Sequence, residues 1–271
     1  MPTDQKNDET CMNTLIEKVK TALWFARRPS FWAHMVALTR RQFDGSAVHE
    51  TKAPEAKAWA SERAVPIADA LRAVGALGAE DSLPAKLPAK LISDGEARAA
   101  KAAVTMGGPG DLDLIYQAIL ATGAQRMVET GVAYGWSSMA ALAALEQTGG
   151  KLVSVDMPYP KAGNEADVGI VVPDEWRGRW MLIREPDRNG IRKALAQFGG
   201  EIDLAHFDSD KSYVGRMFAF PLLWRALRSG GMFISDDIQD NFGFRDFCAQ
   251  IGVDFAITES DGKFVGICRK P

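Results

Sequence analysis

The sequence predicts an α/β protein: a doubly wound, mostly parallel seven-stranded sheet with a terminal antiparallel hairpin, preceded by a helical region. Three observations carry this. From about residue 100, short β-rich runs alternate with helical stretches, as in a parallel sheet with crossover helices. The chain then ends in FAITES-DG-KFVGICR (255–269), two strands around an Asp-Gly turn. Residues before 100 are helical in character instead. The expected organisation is therefore a helical lid or dimerisation region at 1–99 and a sheet domain at 100–271.

Composition bounds the function. The 271 residues are 46% hydrophobic and 25% charged, ordinary values for a globular chain with a sizeable core. A net charge of −3, with both signs spread along the chain, gives no electrostatic support for a nucleic-acid partner. Cys11, Cys248 and Cys268 are scattered and fit neither a zinc spacing nor a disulfide framework, which points to a reducing compartment. The polar N-terminus MPTDQKNDETCMN lacks a basic signal region. TALWFARRPSFWAHMVAL is interrupted by Arg27, Arg28 and Pro29, so no membrane span is expected. The expected location is cytoplasmic.

The elements are taken in chain order. Leu15, Val19, Leu23 and Trp24 recur at helical spacing, and a second helix starts after Pro29 and runs through Trp32, Met35, Val36 and Leu38. Alanine-rich 53–61 and 66–79 favour helix. SLPAKLPAKLISDG (82–95) reads as a linker or extended crossing. Gly107-Gly108-Pro109-Gly110 should bend the chain before the next helix. Strands are expected at 126–130, 151–156, 179–185, 202–208 and 232–237, with helices clearest at 137–147 and 214–228. Pro221 should kink or split the latter.

The chemistry gathers at the strand ends. VETGVAYGWSS (128–138) begins as a strand and opens into a helix. Gly131 and Gly135 permit a tight turn and close ligand approach, and the helix behind offers unpaired N–H groups. The spacing is G-x-x-x-G and not the G-x-G-x-x-G of nicotinamide sites. Asp156 ends the second strand, where an acid either accepts both ribose hydroxyls or is simply solvated. Glu129 either serves the ligand or satisfies groups beneath the loop, and Ser137 and Ser138 suit a helix cap. Asp208, Asp236 and Asp237 end strands four and five, at the edge where such sheets bind ligands. Converging carboxylates repel, and a divalent cation such as Mg²⁺ relieves this. His206 lies in phase with Asp208 and reads as a core residue.

The order of these motifs resembles the class I S-adenosylmethionine-dependent methyltransferases over roughly residues 100–271. The resemblance implies S-adenosylmethionine as cofactor, held by Glu129, Gly131, Gly135, Ser137, Asp156, Met157 and Asp208, with Met106 and Gly107 near its methionine end. Asp208 with Lys211 three residues on, followed by Asp236, is similar to the metal-dependent catechol and caffeoyl-CoA O-methyltransferases. Asp237 stands where those enzymes have asparagine, and the double Asp resembles the macrocin-type enzymes. The resemblance further implies a metal site at Asp208, Asp236 and Asp237, with Lys211 and Asp236 catalytic. The expected partner is a hydroxylated small molecule, with a homodimer as one use of the helical region. A metal-independent methyltransferase and a non-catalytic binding domain of the same fold are the alternatives.

Overall fold

The computed structural model describes residues 19–41, 45, 47–158 and 163–271; the expected helical turn around Leu15 lies outside them. Seven strands form one sheet: β1 (Arg126–Thr130), β2 (Lys151–Val155), β3 (Trp180–Ile183), β4 (Ile202–Phe207), β5 (Leu227–Ser235), β6 (Phe255–Ser260) and β7 (Lys263–Arg269). Their order is β3-β2-β1-β4-β5-β7-β6. The first five are parallel, and β7 runs antiparallel to both β5 and β6. At the hairpin tip Asp261 and Gly262 have φ of 51° and 76°, the left-handed pair that an Asp-Gly turn supplies. Strand order reverses between β1 and β4, so their carboxyl ends open the crevice in which ligands of such sheets sit.

The helices that build the layers are α1 (Trp32–Arg41), α2 (Ala53–Ser61), α3 (Ile67–Ala73), α4 (Ala89–Ala99), α5 (Leu112–Thr122), α6 (Trp136–Thr148), α7 (Asp187–Ala196), α8 (Tyr213–Ala226) and α9 (Gly243–Ile251). Both faces of the sheet are covered. One core joins α5 and α6 to Met127, Leu204 and Ile267, and Leu71, Leu77 and Leu87 from the helical region share it. The other joins α7, α8 and α9 to Val128, Ala205 and Phe233. Every residue of β4 is buried, as a central parallel strand requires. On the second face Phe220 meets Phe207, Phe233 and Phe247 edge-on, with centroids 4.9–5.4 Å apart, the geometry aromatic quadrupoles prefer.

Three expectations change. The stretch read as a linker contains α4, which starts after Pro88 because proline is tolerated at a helix start. Within α4, a Cβ on Gly95 would lie 2.6 Å from the Trp136 ring, so this glycine lets the helix press against the start of α6. Secondly, α8 is not split: it runs through Pro221 and stops at Ala226, held by Phe220 and Leu223 in the core on either side. The Lys270 ammonium then binds the carbonyls of Trp224 and Leu227 at 3.0 and 2.6 Å, a cationic stop at a helix C-terminus. Thirdly, β2, β4 and β5 end one or two residues early, which leaves Asp156, Asp208, Asp236 and Asp237 on the loops beyond the edge. No helix among the described residues is long and apolar enough to cross a membrane.

The opposite end of the central strands is pinned by Asp203. Its buried carboxylate accepts from the amides of Gln125 and Arg126 at 3.0 and 2.8 Å and from Arg126 and Arg228 at 2.9 and 2.8 Å. Burial alone would raise its pKa, but Arg126, the Gln125 amide and Arg228 outweigh it and hold the group well below the usual carboxylate range. A depressed folded pKa contributes stability above the unfolded value, lost as pH falls through the folded one. Asp203→Asn should therefore cost about 2–3 kcal/mol at pH 7 in urea denaturation. The gap between variant and native chain should narrow below about pH 4; a gap independent of pH would refute the ionic anchor.

Candidate active site

The glycine loop joins β1 to α6 at the crevice. Gly131 has φ of 84°, and a Cβ there would lie 2.1 Å from the Asp208 carbonyl oxygen. Gly135 has φ of 88°, and its Cβ would meet Gly169 at 2.9 Å. Both glycines are thus required by the protein's own packing: one lets the β4 end close against the loop, the other seats the 167–172 segment. That segment adds backbone bonds from Gly169 to Ala133 at 2.9 Å and from Val171 to Tyr134 at 3.0 Å. Gly135 is the N-cap of α6 and no side chain caps that helix. The expected serine cap is therefore corrected: Ser137 sits half-buried in the first turn, and Ser138 turns inward to Glu129.

Glu129 lies beneath the loop, fully buried. Its Oε2 accepts from Ser138 at 2.5 Å and Ser154 at 2.7 Å, while Oε1 faces His206 Nδ1 at 3.4 Å, an ion contact and not a hydrogen bond. His206 Nε2 lies 3.2 Å from Asp236 Oδ1. The register explains the string: Glu129 pairs with His206 across β1 and β4, and Asp236 follows β5, the strand on the other side of β4. Burial would lower the His206 pKa, but Asp236 and Glu129 overcome it and push it up to about 10. His206 is buried, as its reading as a core residue expects, and with these partners it is an imidazolium at neutral pH.

Asp156 lies at the end of β2, its amide bonded to Ile183 O at 3.0 Å. Its Oδ1 accepts from the Val132 amide at 3.0 Å, which ties it to the glycine loop. Its Oδ2 pairs with Arg184, which also reaches Glu165 at 2.9 Å. Burial raises the Asp156 pKa despite Arg184. Met157 comes next, half-buried. Met106 Sδ accepts from Asn164 at 3.0 Å, and Gly107 has open space around it.

On the other side of the crevice, Asp208 and Asp237 share one cation. Lys211 Nζ lies 3.1 Å from Asp208 Oδ1 and also pairs with Asp237 Oδ2. Gln239 donates to the second Asp237 oxygen at 2.9 Å. Asp237 adopts φ 51° and ψ 40°, a left-handed conformation costly for a non-glycine residue. Burial and the neighbouring Asp236 raise Asp208 to about 6. Burial would lower Lys211, but Asp208 and Asp237 raise it above its usual value, so it remains an ammonium. Asp210 is a turn acid: it pairs with Arg41 at 2.9 Å and accepts from the Ser212 hydroxyl at 2.8 Å. Tyr213 stacks on His49 with centroids 3.7 Å apart, and its amide binds Glu50 at 3.0 Å. The helical region therefore walls this side of the crevice.

The structure thus brings Asp208, Lys211 and Asp237 together and turns Asp236 toward His206. No group of three or more His, Cys, Asp or Glu side chains placed to hold a metal occurs among the described residues. Sequence reasoning missed three participants. His206 had a signal, its phase with Asp208. Arg184 had none, since its role depends on β3 lying beside β2. Asp187 likewise comes from a distant helix start; its carboxylate accepts from Ser209 at 2.6 Å, and burial pushes it up to about 6.

A sheet in this order, with a glycine loop after β1, an acid after β2 and acids after β4 and β5, defines the class I S-adenosylmethionine-dependent methyltransferase fold. Comparison agrees: residues 128–238 match the methyltransferase domain family. An O-methyltransferase from Bacillus cereus, solved with SAH, has this fold at TM-score 0.50 and 17% identity, over 68% of this chain and 92% of that one. An SAH-bound methyltransferase from Podospora anserina gives 0.49 at 16% identity, over 69% and 90%. The O-methyltransferase TomG from Streptomyces achromogenes, involved in tomaymycin synthesis and solved with SAM, gives 0.47 at 16%, over 70% and 93%. No curated protein matches the sequence significantly.

The packing role of Gly131 is testable by contrast. Gly131→Ala meets both a positive φ and the Asp208 carbonyl, and should destabilise the chain by about 3 kcal/mol or more. Gly107→Ala, with nothing within 4 Å of the new Cβ, should stay within about 0.5 kcal/mol. Thermal melts of the two variants measure this, and equal losses would refute the assignment.

Proposed function

We propose that this chain is an S-adenosylmethionine-dependent methyltransferase acting on a hydroxyl oxygen of a small metabolite, sugar or natural product. The observation that carries the reading is the Lys211 ammonium held between Asp208 and Asp237, directly beside the loop whose Gly131 touches Asp208. Asp156 and Met157 suit the cofactor's nucleoside, and the N-terminus of α6 with Ser137 suits its carboxylate. Bound there, S-adenosylmethionine supplies a methyl group on a positively charged sulfur.

The chain's own task is to orient the acceptor hydroxyl and take its proton. Lys211 keeps its charge, so it serves as an electrostatic guide to the developing oxyanion. The proton goes to Asp208, whose pKa of about 6 matches a base working near neutrality. Asp236, held by His206, keeps the opposite wall of the edge in place.

Mg²⁺ or another divalent cation fits the oxygen donors of Asp208 and Asp237, which already share a cation; Asp236 would have to leave His206 to join them. Such an ion would lower the pKa of a bound hydroxyl and fix its orientation. The second reading, methyl transfer without metal, is favoured by the same ammonium, which already offsets part of the pair's charge.

Calorimetry with S-adenosylhomocysteine tests the first claim: the chain should bind it, and Asp156→Ala should weaken binding by about tenfold or more. Absence of binding by the unmodified chain would sink the proposal. Turnover of catechol and methyl hexoside probes should require Lys211 and rise with metal over an EDTA-treated sample; a rate indifferent to EDTA selects the metal-free reading.

The pH profile is a separate prediction. Asp208 must be ionised to accept a proton, so the rate should rise as pH passes through about 6 and then level. An alkaline loss at about pH 8–9 would place the deciding group elsewhere, because Lys211 is held protonated above its usual range.

A further inference from the structure

Arg216, in the first turn of α8, is wholly buried. Among the described residues it has no carboxylate partner in contact. Its guanidinium binds backbone carbonyls instead: Nε donates to Lys211 O at 3.1 Å, Nη1 to Asp236 O at 3.1 Å and Nη2 to Asp237 O at 2.8 Å. Nη1 also donates to the Ser235 hydroxyl at 2.9 Å. Phe207 and Phe220 flank it, each with its ring centroid 6.0 Å from the guanidinium carbon. Gly243 leaves room for the stem, since a Cβ there would lie 2.9 Å from Arg216 Cδ.

Burying a guanidinium is costly, and one neutral amide would satisfy a single carbonyl more cheaply. What only the planar fork supplies is several donors in fixed directions. Those donors span two separate loops. One carries Lys211 after β4, and the other carries Asp236 and Asp237 after β5. The same fork meets the carbonyl of Asp237, whose left-handed backbone needs an external hold.

We propose that Arg216 is a positioning residue that clamps the Lys211 loop to the Asp236-Asp237 turn and so sets the seat of the Lys211 ammonium between its two carboxylates. The inference rests on the methyl-transfer reading only for its catalytic meaning. In that reading the clamp fixes the charged group facing the acceptor oxygen, where displacement by about 1 Å is worth on the order of a hundredfold in rate.

The test reads the seat directly. With ¹⁵N-labelled lysine, the Lys211 side-chain ammonium should give a slowly exchanging NMR signal, identified by its loss in Lys211→Arg. Arg216→Lys keeps the charge but not the fork; it should fold, bind S-adenosylhomocysteine within about threefold of the native chain, and lose that signal to exchange. Gly243→Ala, which leaves Arg216 present and pushes its stem aside, should weaken the signal in the same way, so the test survives if Arg216→Lys does not fold. Persistence of the signal in a folded variant would overturn the clamp. Loss of cofactor affinity in parallel with the signal would also overturn it, by making Arg216 a general support of the fold. An unmodified chain that shows the signal but binds no S-adenosylhomocysteine would refute the methyltransferase reading and leave the clamp standing.

Discussion

Much of the structure depends on one buried string of charge, Glu129–His206–Asp236, running across β1, β4 and the end of β5. Two carboxylates flank one imidazolium with no water-exposed atom on the histidine. Such a group is tolerated only where its partners are fixed. The string therefore demands the parallel register that sets Glu129 against His206, and it demands that β5 end beside β4. It also demands Ser138 and Ser154 beneath the loop to satisfy the second Glu129 oxygen. The glycine loop rests on that floor. Glycine loop and acidic edge are thus one electrostatic unit, built from three neighbouring strands.

The second layer of this unit is a matched distribution of cations. His206 answers Asp236, Lys211 answers Asp208 and Asp237, and Arg216 holds the carbonyls on both sides from below. None of these cations is interchangeable with another. The histidine is placed by strand pairing, the lysine by a turn after β4, and the arginine by the first turn of α8. Arg184 plays the corresponding part at Asp156, on the far side of β1. Asp156, Asp208, Asp236 and Asp237 are therefore each in contact with a cation, while the buried Asp187 accepts from the Ser209 hydroxyl instead.

The sequence makes the fold legible because its signals are local. Alternating strand and helix, the Asp-Gly hairpin and the glycine loop each lie within a dozen residues, and each forms where the pattern places it. The acids at the strand ends are legible for the same reason. What is hidden is long-range. Arg184 reaches Asp156 only because β3 lies beside β2, and Arg216 reaches Asp237 only because β4 and β5 are neighbours. The two glycines show the same divide. Their spacing predicts an open turn, and the structure shows that their missing side chains make room for Asp208 and Gly169. The prolines of 82–95 mislead because proline marks a helix start as well as a break.

The remaining contrast concerns which cation the edge is built to hold. Asp208 and Asp237 converge on one point, and a lysine three residues after Asp208 is long enough to reach it. An ammonium, a compact point charge, fills that point without fixing coordination geometry. Asp237 is held twice more: its carbonyl by Arg216 and its second oxygen by Gln239. An oxygen pair that shares one ammonium suits a metal-free site as it stands; in a metal-assisted one, a divalent ion would take the place of that ammonium. The geometry that distinguishes the two lies in Asp236, which serves His206 in the first case and must be shared in the second.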